Sequence, residues 1–251
     1  MGTSAWETAG AAAASAGVTL RAADRPGDGT AILEIVRVTW GAEGLMPPEM
    51  LVAFAESGNV PYGAFDGVTM VGFVLGWAGV DPHDGVHVHS HMLAALPDRR
   101  HRGVGSALKL AQRAQCLDQG VHVMRWTFDP LIARNAWLNL GKLGAVADRF
   151  RRDFYGEMTD ALNAGDRSDR LVVRWDLDRE PGPRALPPNA ERLDVPRDYP
   201  ALRAEDPIAG QRERDRVGLA LGELLGDGRI VAGFDPEASA YLLLEPKDLP
   251  V

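Results

Sequence analysis

The feature that most constrains the fold of this chain is the stretch His87–Gly120, HVHSHMLAALPDRRHRGVGSALKLAQRAQCLDQG. Its apolar and alternating residues predict a strand over Val86–Leu96, followed by a turn. A basic, glycine-punctuated loop then leads into a predicted helix from Ser106 to about Gln119. Because the first turn of a helix carries free N–H groups and the positive end of the helix dipole, this order of elements is suited to holding phosphate.

Composition narrows the kind of ligand that such a loop could hold. With 45% hydrophobic residues and a formal net charge of −8, the chain is typical of a globular protein and lacks the broad basic surface that nucleic-acid binding requires. The basic residues at 99–102 are a local exception, which indicates a local anionic ligand. The single cysteine, Cys116, excludes an intrachain disulfide and is typical of a reducing compartment.

The sequence shows no sign of membrane insertion or secretion. No run is long and apolar enough to span a bilayer. Residues 1–17 lack the basic start and hydrophobic centre of a signal peptide, so they predict a flexible or weakly helical N-terminal tail. We therefore expect a cytoplasmic protein that binds neither membranes nor nucleic acid.

The remaining patterns predict a mixed α/β fold. A short strand at Val18–Ala22 precedes two stretches with helical spacing, and Asp66-Gly67 predicts a two-residue hairpin turn between two strands. Antiparallel hairpins exclude a purely parallel, doubly wound sheet. The proline-rich segment 179–190 predicts a linker between a main domain at 18–178 and a small C-terminal α/β extension at 191–251 that packs on it.

The loop Arg100-His101-Arg102-Gly103-Val104-Gly105 and the order of elements around it resemble the GNAT superfamily of N-acyltransferases. In that family the loop reads Gln/Arg-x-x-Gly-x-Gly/Ala. The run at 133–144, ARNAWLNLGKLG, is similar to the family's Asn-rich fourth helix. The resemblance covers about Val18–Leu177 and extends to a subgroup of predicted acetyltransferases of unassigned substrate. It implies the GNAT fold, an α+β arrangement of a mixed, mostly antiparallel sheet flanked by helices.

The resemblance also implies a cosubstrate and the residues that contact it. Acetyl-CoA would be the acyl donor, and a small amine or amino-acid-like acceptor would attack it directly in a ternary complex. The contacts fall on the end of the fourth strand, on the loop with the first turn of the next helix, and on two later asparagines. These residues are Leu93, Ala94, Ala95, Arg100, His101, Arg102, Gly103, Val104, Gly105, Ser106, Asn135 and Asn139. The alternatives are core strand side chains for the first three, and capping or solvated positions for the asparagines.

A candidate base lies in the strand before the loop. His87, His89 and His91 alternate, so a regular strand would place all three on one face. Some members of the family carry a glutamate base at the position that His89 occupies here. Imidazole suits general-base work near neutral pH, so His89 and His91 are the candidate catalytic bases. The alternatives are a polar strand face and a zinc site completed from the preceding loop.

The sequence departs from the family pattern at the catalytic acid. The usual tyrosine of the fourth helix aligns with Leu140, which leaves the proton donor to the departing thiolate in question. Tyr155 is the nearest tyrosine in sequence and the candidate acid, with a packed aromatic or protonation by water as alternatives. Asp129 either contacts the substrate amine or caps the following helix.

Two other functions stay open at this point. The missing tyrosine is compatible with a non-catalytic CoA-binding sensor or interaction module, and pocket size could select a longer acyl-CoA. We expect no metal cofactor, and a homodimer is a possible assembly.

Overall fold

The computed structural model describes residues 4–41, 46–100, 102–160 and 163–250. The chain divides into two compact units, one formed by residues 1–124 with 160–162 and the other by residues 125–159 with 163–251. This division does not follow the predicted boundary at 178, because strands on both sides of that boundary pair with one another in the second unit. In the described residues, no helix is long and apolar enough to cross a membrane.

The first unit contains four helices and four complete strands. They are α1 (Ala5–Ala16), β1 (Thr19–Ala22), α2 (Asp28–Trp40), α3 (Pro48–Glu56), β2 (Tyr62–Asp66), β3 (Thr69–Asp81), β4 (Gly85–Ala95) and α4 (Val104–Asp118). Antiparallel ladders join β1 to β2, β2 to β3 and β3 to β4. The turn between β2 and β3 consists of Gly67 and Val68, one residue later than predicted, and Gly67 has a φ of 59°. Glycine suits this first turn position because a positive φ there matches the twist of a hairpin.

The N-terminal residues form a helix over Ala5–Ala16, which agrees with the helical alternative predicted for 1–17 and not with a flexible tail. The Ser4 hydroxyl accepts a hydrogen bond from the Glu7 N–H, and the Glu7 carboxylate accepts one from the Ser4 N–H, which makes a capping box. Small side chains let α1 pack closely on α4, and the Trp6 indole donates to Asp118 at 2.7 Å. An alanine-rich composition alone does not reveal such a packing partner.

Helices cover both faces of the strands in the first unit. On one face, α1 and α4 contribute Ala13 and Leu108 to a core cluster with the strands. On the other face, α2 and α3 contribute Ile35 and Leu51 to a second cluster, which includes Phe73. The alternation of side chains along each strand therefore decides which helical layer a residue meets.

A bulge interrupts the ladder between β3 and β4. Gly76 pairs with Ser90, but Leu75 pairs with Met92, so His91 is an extra residue without a partner on β3. An extra residue of this kind reverses the alternation of faces along the strand and increases its local twist. The regular strand predicted from the sequence therefore holds on either side of His91 and not across it.

The second unit contains the remaining strands and helices. They are the greater part of β5 (Val123–Phe128), α5 (Ala133–Ala136) with a π-helical segment (Trp137–Lys142), β6 (Val146–Arg151), β7 (Arg170–Asp176), β8 (Glu191–Asp194), α6 (Tyr199–Glu205), α7 (Pro207–Gly226), β9 (Ile230–Asp235) and β10 (Ala240–Leu244). Antiparallel ladders join β6 to both β7 and β9, and β10 to both β8 and β9. The mixed, mostly antiparallel arrangement with flanking helices confirms the predicted fold class.

A buried arginine of α7 ties the C-terminal residues to the segment after β5. The Arg214 side chain, 1% exposed, donates to both carboxylate oxygens of Asp129 at 2.7 and 2.8 Å. It also donates to Asp166 at 3.1 and 2.5 Å. From β10, the Tyr241 hydroxyl donates to the Pro130 carbonyl at 2.6 Å. These contacts fix the chain where β5 ends.

Candidate functional site

The predicted phosphate-binding turn lies at the start of α4. Gly103 has a φ of 88° and directly precedes Val104, the first residue of the helix. Only glycine adopts this conformation at little cost. No side chain caps the helix, and its first turn carries no acidic residue. The N–H groups at Val104, Gly105 and Ser106 therefore suit an anion, which the helix dipole also favours.

The arginines of the loop are not equivalent. Arg99 is already paired, since its guanidinium lies 2.5 Å from the Asp66 carboxylate. Arg100 is partly exposed and makes a long hydrogen bond of 3.4 Å to the Ala95 carbonyl, while Arg102 is exposed. Among the described residues, neither Arg100 nor Arg102 has an acidic partner, so both are suited to an external anion. His101, also predicted here, lies outside the described residues.

The end of β4 combines buried side chains with a close backbone contact. Leu93 and Ala95 pack towards α1 and α4, whereas Ala94 is buried against the α2 and α3 layer. Gly72 of β3 allows this close approach, because a Cβ there would lie 2.8 Å from the Ala94 carbonyl oxygen. These three residues are core side chains, and the backbone contact predicted for them with a thioester stays a prediction.

Two of the three strand histidines share one aromatic cluster. The ring centroid of Trp77 lies 5.5 Å from that of His89 and 4.7 Å from that of His91, and the two imidazoles are 5.9 Å apart. Phe54 of α3 stacks on Trp77 at 5.5 Å. His87 is instead buried against the glycine that faces it on β3. The structure thus brings both candidate bases together and gives His87 a packing role.

The surroundings keep both imidazoles neutral at neutral pH. Burial lowers the pKa of His89 to about 4, helped by repulsion from His91, His87 and Lys109. Partial desolvation beside the aromatic cluster lowers the pKa of His91, although the residue stays exposed to solvent. Each ring therefore offers a free lone pair at pH 7. His91 is the stronger base of the two, because repulsion from like charges adds to burial only at His89.

The predicted zinc alternative lacks a ligand set in the structure. Across the described ranges, no group of three His, Cys, Asp or Glu side chains lies close enough together to hold a metal ion. The residues proposed to complete it, His83 and Asp84, sit in the β3–β4 turn, where their N–H groups donate to the Asp81 carboxylate at 2.9 and 3.3 Å.

Part of the chain that contains this site matches a known family. The model of the acetyltransferase (GNAT) family matches residues 30–141, which include most of α2 and all of α3, α4 and β2 to β5. Residues 30–141, less than half of the chain, thus match a GNAT acetyltransferase domain. The matched range contains the α4 turn, the bulged strand and both candidate bases, as the sequence resemblance predicted.

Solved structures agree on the GNAT fold. The chain is similar to yncA from Salmonella typhimurium, solved with its cofactor acetyl-CoA, at 19% identity and a TM-score of 0.50, over 67% of this chain and 98% of that one. It is similar to Naa20 from Chaetomium thermophilum, solved with a bisubstrate analogue, at 20% identity and a TM-score of 0.50, over 64% and 88%. No curated protein sequence matches the chain. At these identities the structures show the fold alone.

Tyr155, the candidate acid of this GNAT protein, lies in the second unit. Its hydroxyl is 3.1 Å from the Thr127 hydroxyl on β5, and its N–H donates to the Ser168 hydroxyl at 2.9 Å. The Arg170 guanidinium lies over its ring at 5.3 Å. The side chain is 41% exposed. Tyr155 is thus held in place with an accessible hydroxyl, and its catalytic role stays a prediction.

The helix that resembles the GNAT fourth helix is irregular. The sequence resemblance implies a helix within 133–144, and the segment from Trp137 to Lys142 is π-helical. Asn135 is half-buried and Asn139 is buried, so the two asparagines do not present the equal exposure that four-residue α-helical spacing predicts. Leu140 is a core side chain. A contact of either asparagine with CoA stays a prediction.

The structure contains two polar clusters that the sequence patterns did not predict. The capping role weighed for Asp129 is absent, because the following helix has Ile132 as its N-cap and no side-chain cap. The Asp129 carboxylate instead accepts from the Leu131 N–H at 2.9 Å in the preceding turn, and its main partner is Arg214. The second cluster joins Lys109 of α4 to Ser90 of β4. A lysine on the buried side of a helix was the available signal, but its partner depends on which strand the helix covers.

Proposed function

We propose that this GNAT protein is an acetyl-CoA-dependent N-acetyltransferase that acts on a small amine or amino-acid-like acceptor. One observation carries the proposal. In the first unit, a strand bearing two neutral imidazoles precedes a helix N-terminus opened by a glycine, and the arginines beside it have no acidic partner among the described residues. The first feature suits proton removal from an amine, and the second suits a diphosphate.

The residues at the α4 turn fit the phosphates of CoA. The left-handed Gly103 and the uncapped first turn of α4 present backbone donors, and Arg100 and Arg102 supply positive charge. When bound, acetyl-CoA supplies an activated acyl group in its thioester. The contacts proposed for His101 and for the backbone at 93–95 belong to this same binding role.

The strand residues supply the proton chemistry. His91 accepts the proton that the amine loses as its nitrogen forms a bond to the acyl carbon, and His89 is the neutral neighbour that accepts a hydrogen bond from the acceptor. As the carbon–sulfur bond breaks, the sulfur takes a proton from water; a role of Tyr155 as the acid stays a prediction. The reaction is direct and needs no acyl-enzyme.

Thiol release and product mass together test this proposal. The full-length protein is incubated with acetyl-CoA and a panel of amines and amino acids, and both free thiol and acetylated amine are quantified. We expect matched amounts of the two products from at least one acceptor, with His91→Gln reducing turnover and leaving CoA affinity unchanged. A parallel panel of longer acyl-CoA donors defines the acyl group.

A second candidate function is a CoA-binding sensor without turnover. The buried Leu140 favours it, because this position holds the catalytic tyrosine in the resembling family. Thermal stabilisation of the protein by CoA, with no acetylated product from any acceptor or donor, would support the sensor and contradict the enzyme.

A further inference from the structure

A polar chain, meaning a row of hydrogen bonds between buried side chains, connects β4 to α4. The Lys109 amine donates to the Ser90 hydroxyl at 2.7 Å, and that hydroxyl donates to the Gln112 side-chain carbonyl at 2.6 Å. All three side chains are buried, with 2%, 4% and 5% exposure. Lys109 and Gln112 are three residues apart on α4, so both reach the same point on the strand. That point is Ser90, which lies between the candidate bases His89 and His91 in the strand.

This chain of hydrogen bonds contacts β4 directly beside the bulge in the β3–β4 ladder. Ser90 pairs with Gly76 directly beside the bulge, and His91, the next residue, has no partner on β3. A Cβ on Gly76 would lie 2.6 Å from the His89 carbonyl oxygen and 2.9 Å from the Gln112 amide nitrogen. The hydrogen bonds between β3 and β4 do not fix the orientation of His91, because this residue has no partner on β3. Its orientation therefore depends on contacts of the neighbouring side chains.

We propose that Lys109 and Gln112 are positioning residues of the acyl-transfer site. By holding the Ser90 hydroxyl they fix the bulge, and the bulge sets the directions in which His89 and His91 face the acceptor. The catalytic consequence rests on the proposed function, whereas the positioning itself does not. Lysine is costly to bury, and an apolar residue would satisfy packing alone, which favours a role tied to its hydrogen bond.

The charge on Lys109 gives a second, independent connection to His89. Burial lowers the pKa of Lys109 to about 7, with the Met124 sulfur 3.9 Å from its amine and the buried Cys116 on the same helix. Burial raises the pKa of Cys116 to about 12, so that group is a neutral thiol. Below pH 7 the protonated amine therefore repels an imidazolium at His89, and its removal should raise the pKa of that histidine.

Histidine titration by NMR on the full-length protein measures this connection without any turnover. In wild type we expect the His89 midpoint at about 4, because burial lowers its pKa. Lys109→Met should move it upward, but keep it below the ordinary value of about 6.5 because burial remains. Ser90→Ala should displace the His91 resonances at constant pH. Ser90→Thr, which keeps the hydroxyl, should restore them.

Kinetics complete the test with a matched control. Lys109→Met and Ser90→Ala should lower kcat by up to about a hundredfold, the effect of misplacing reacting groups by about 1 Å, while the KM for acetyl-CoA changes less than about twofold. Leu110→Ala, another buried truncation on α4, should leave the His89 midpoint unchanged. Unaltered histidine signals in both Lys109→Met and Ser90→Ala would overturn the proposal.

The positioning role of the polar chain and the proposed acetyl transfer can fail independently of each other. Ser90→Ala removes a single oxygen atom, so it decides the positioning role even where Lys109→Met fails to fold. If wild-type protein acetylates no amine, the proposed function fails, while the NMR shifts still decide whether the polar chain fixes the bulge.

Discussion

Replacing Arg214 with methionine should lower the free energy of unfolding by about 3–5 kcal/mol, the cost of removing one partner from a buried ion pair. Its guanidinium is 1% exposed and donates to two carboxylates, whose side chains are 15% and 7% exposed. Asp166 keeps the Tyr199 hydroxyl at 2.9 Å and Arg203 at 3.2 Å, so most of the penalty falls on Asp129. The lower end of the range, about 3 kcal/mol, is therefore expected.

Calorimetry and urea denaturation measure this loss. For a protein of this size, about 3 kcal/mol corresponds to a fall in Tm of roughly 6–12 °C. Arg216→Met on the same helix is the matched control, because Arg216 pairs with Glu213 near the surface and should cost about 0–1 kcal/mol.

A double variant identifies the physical cause. Asp129→Asn combined with Arg214→Met removes the uncompensated carboxylate charge, so it should be more stable than Arg214→Met alone. If Arg214→Met unfolds within about 1 kcal/mol of Arg216→Met, the anchoring role of Arg214 is refuted.

Three further predictions concern the first unit. Charge reversal at Arg100 and Arg102 should weaken CoA binding at least about tenfold by calorimetry, through lost charge-assisted contacts, and unchanged affinity would remove the loop from the phosphate site. His89→Ala should lower turnover more than it raises the KM for acetyl-CoA, and wild-type turnover would exclude His89 from the mechanism. Because folding lowers the pKa of His89 from 6.5 to about 4, the unfolded chain binds more protons between these values, so stability should fall as pH drops through that window. His89→Gln should reduce this loss in denaturant titrations at pH 7 and 4.5, and an identical loss in both proteins would contradict the assigned shift.

Local patterns were sufficient for the elements that surround the site. Strand alternation and helical spacing placed β4 and α4 within about two residues, because both elements bury one clear apolar face. The turn between them was predictable because its glycine, its arginines and the following helix are contiguous in sequence. Short elements with little apolar surface, such as β8 and α6, left no comparable pattern.

Features that depend on tertiary register could not be read from the sequence. The bulge at His91 is a property of two paired strands, and nothing in the alternation of the histidines indicates it. The partnership of Lys109 with Ser90 joins residues that meet only when α4 covers β4. The contact of Arg214 with Asp129 spans an even longer separation along the chain.

Mass spectrometry of an amine panel incubated with acetyl-CoA and the full-length protein is the most direct test of acetyl transfer at the β4–α4 site. We predict at least one acetylated amine, formed with an equal amount of free CoA thiol, and a large loss of this product in His91→Gln at unchanged CoA affinity. Tight CoA binding with no acetylated product from any acceptor would contradict the proposed activity.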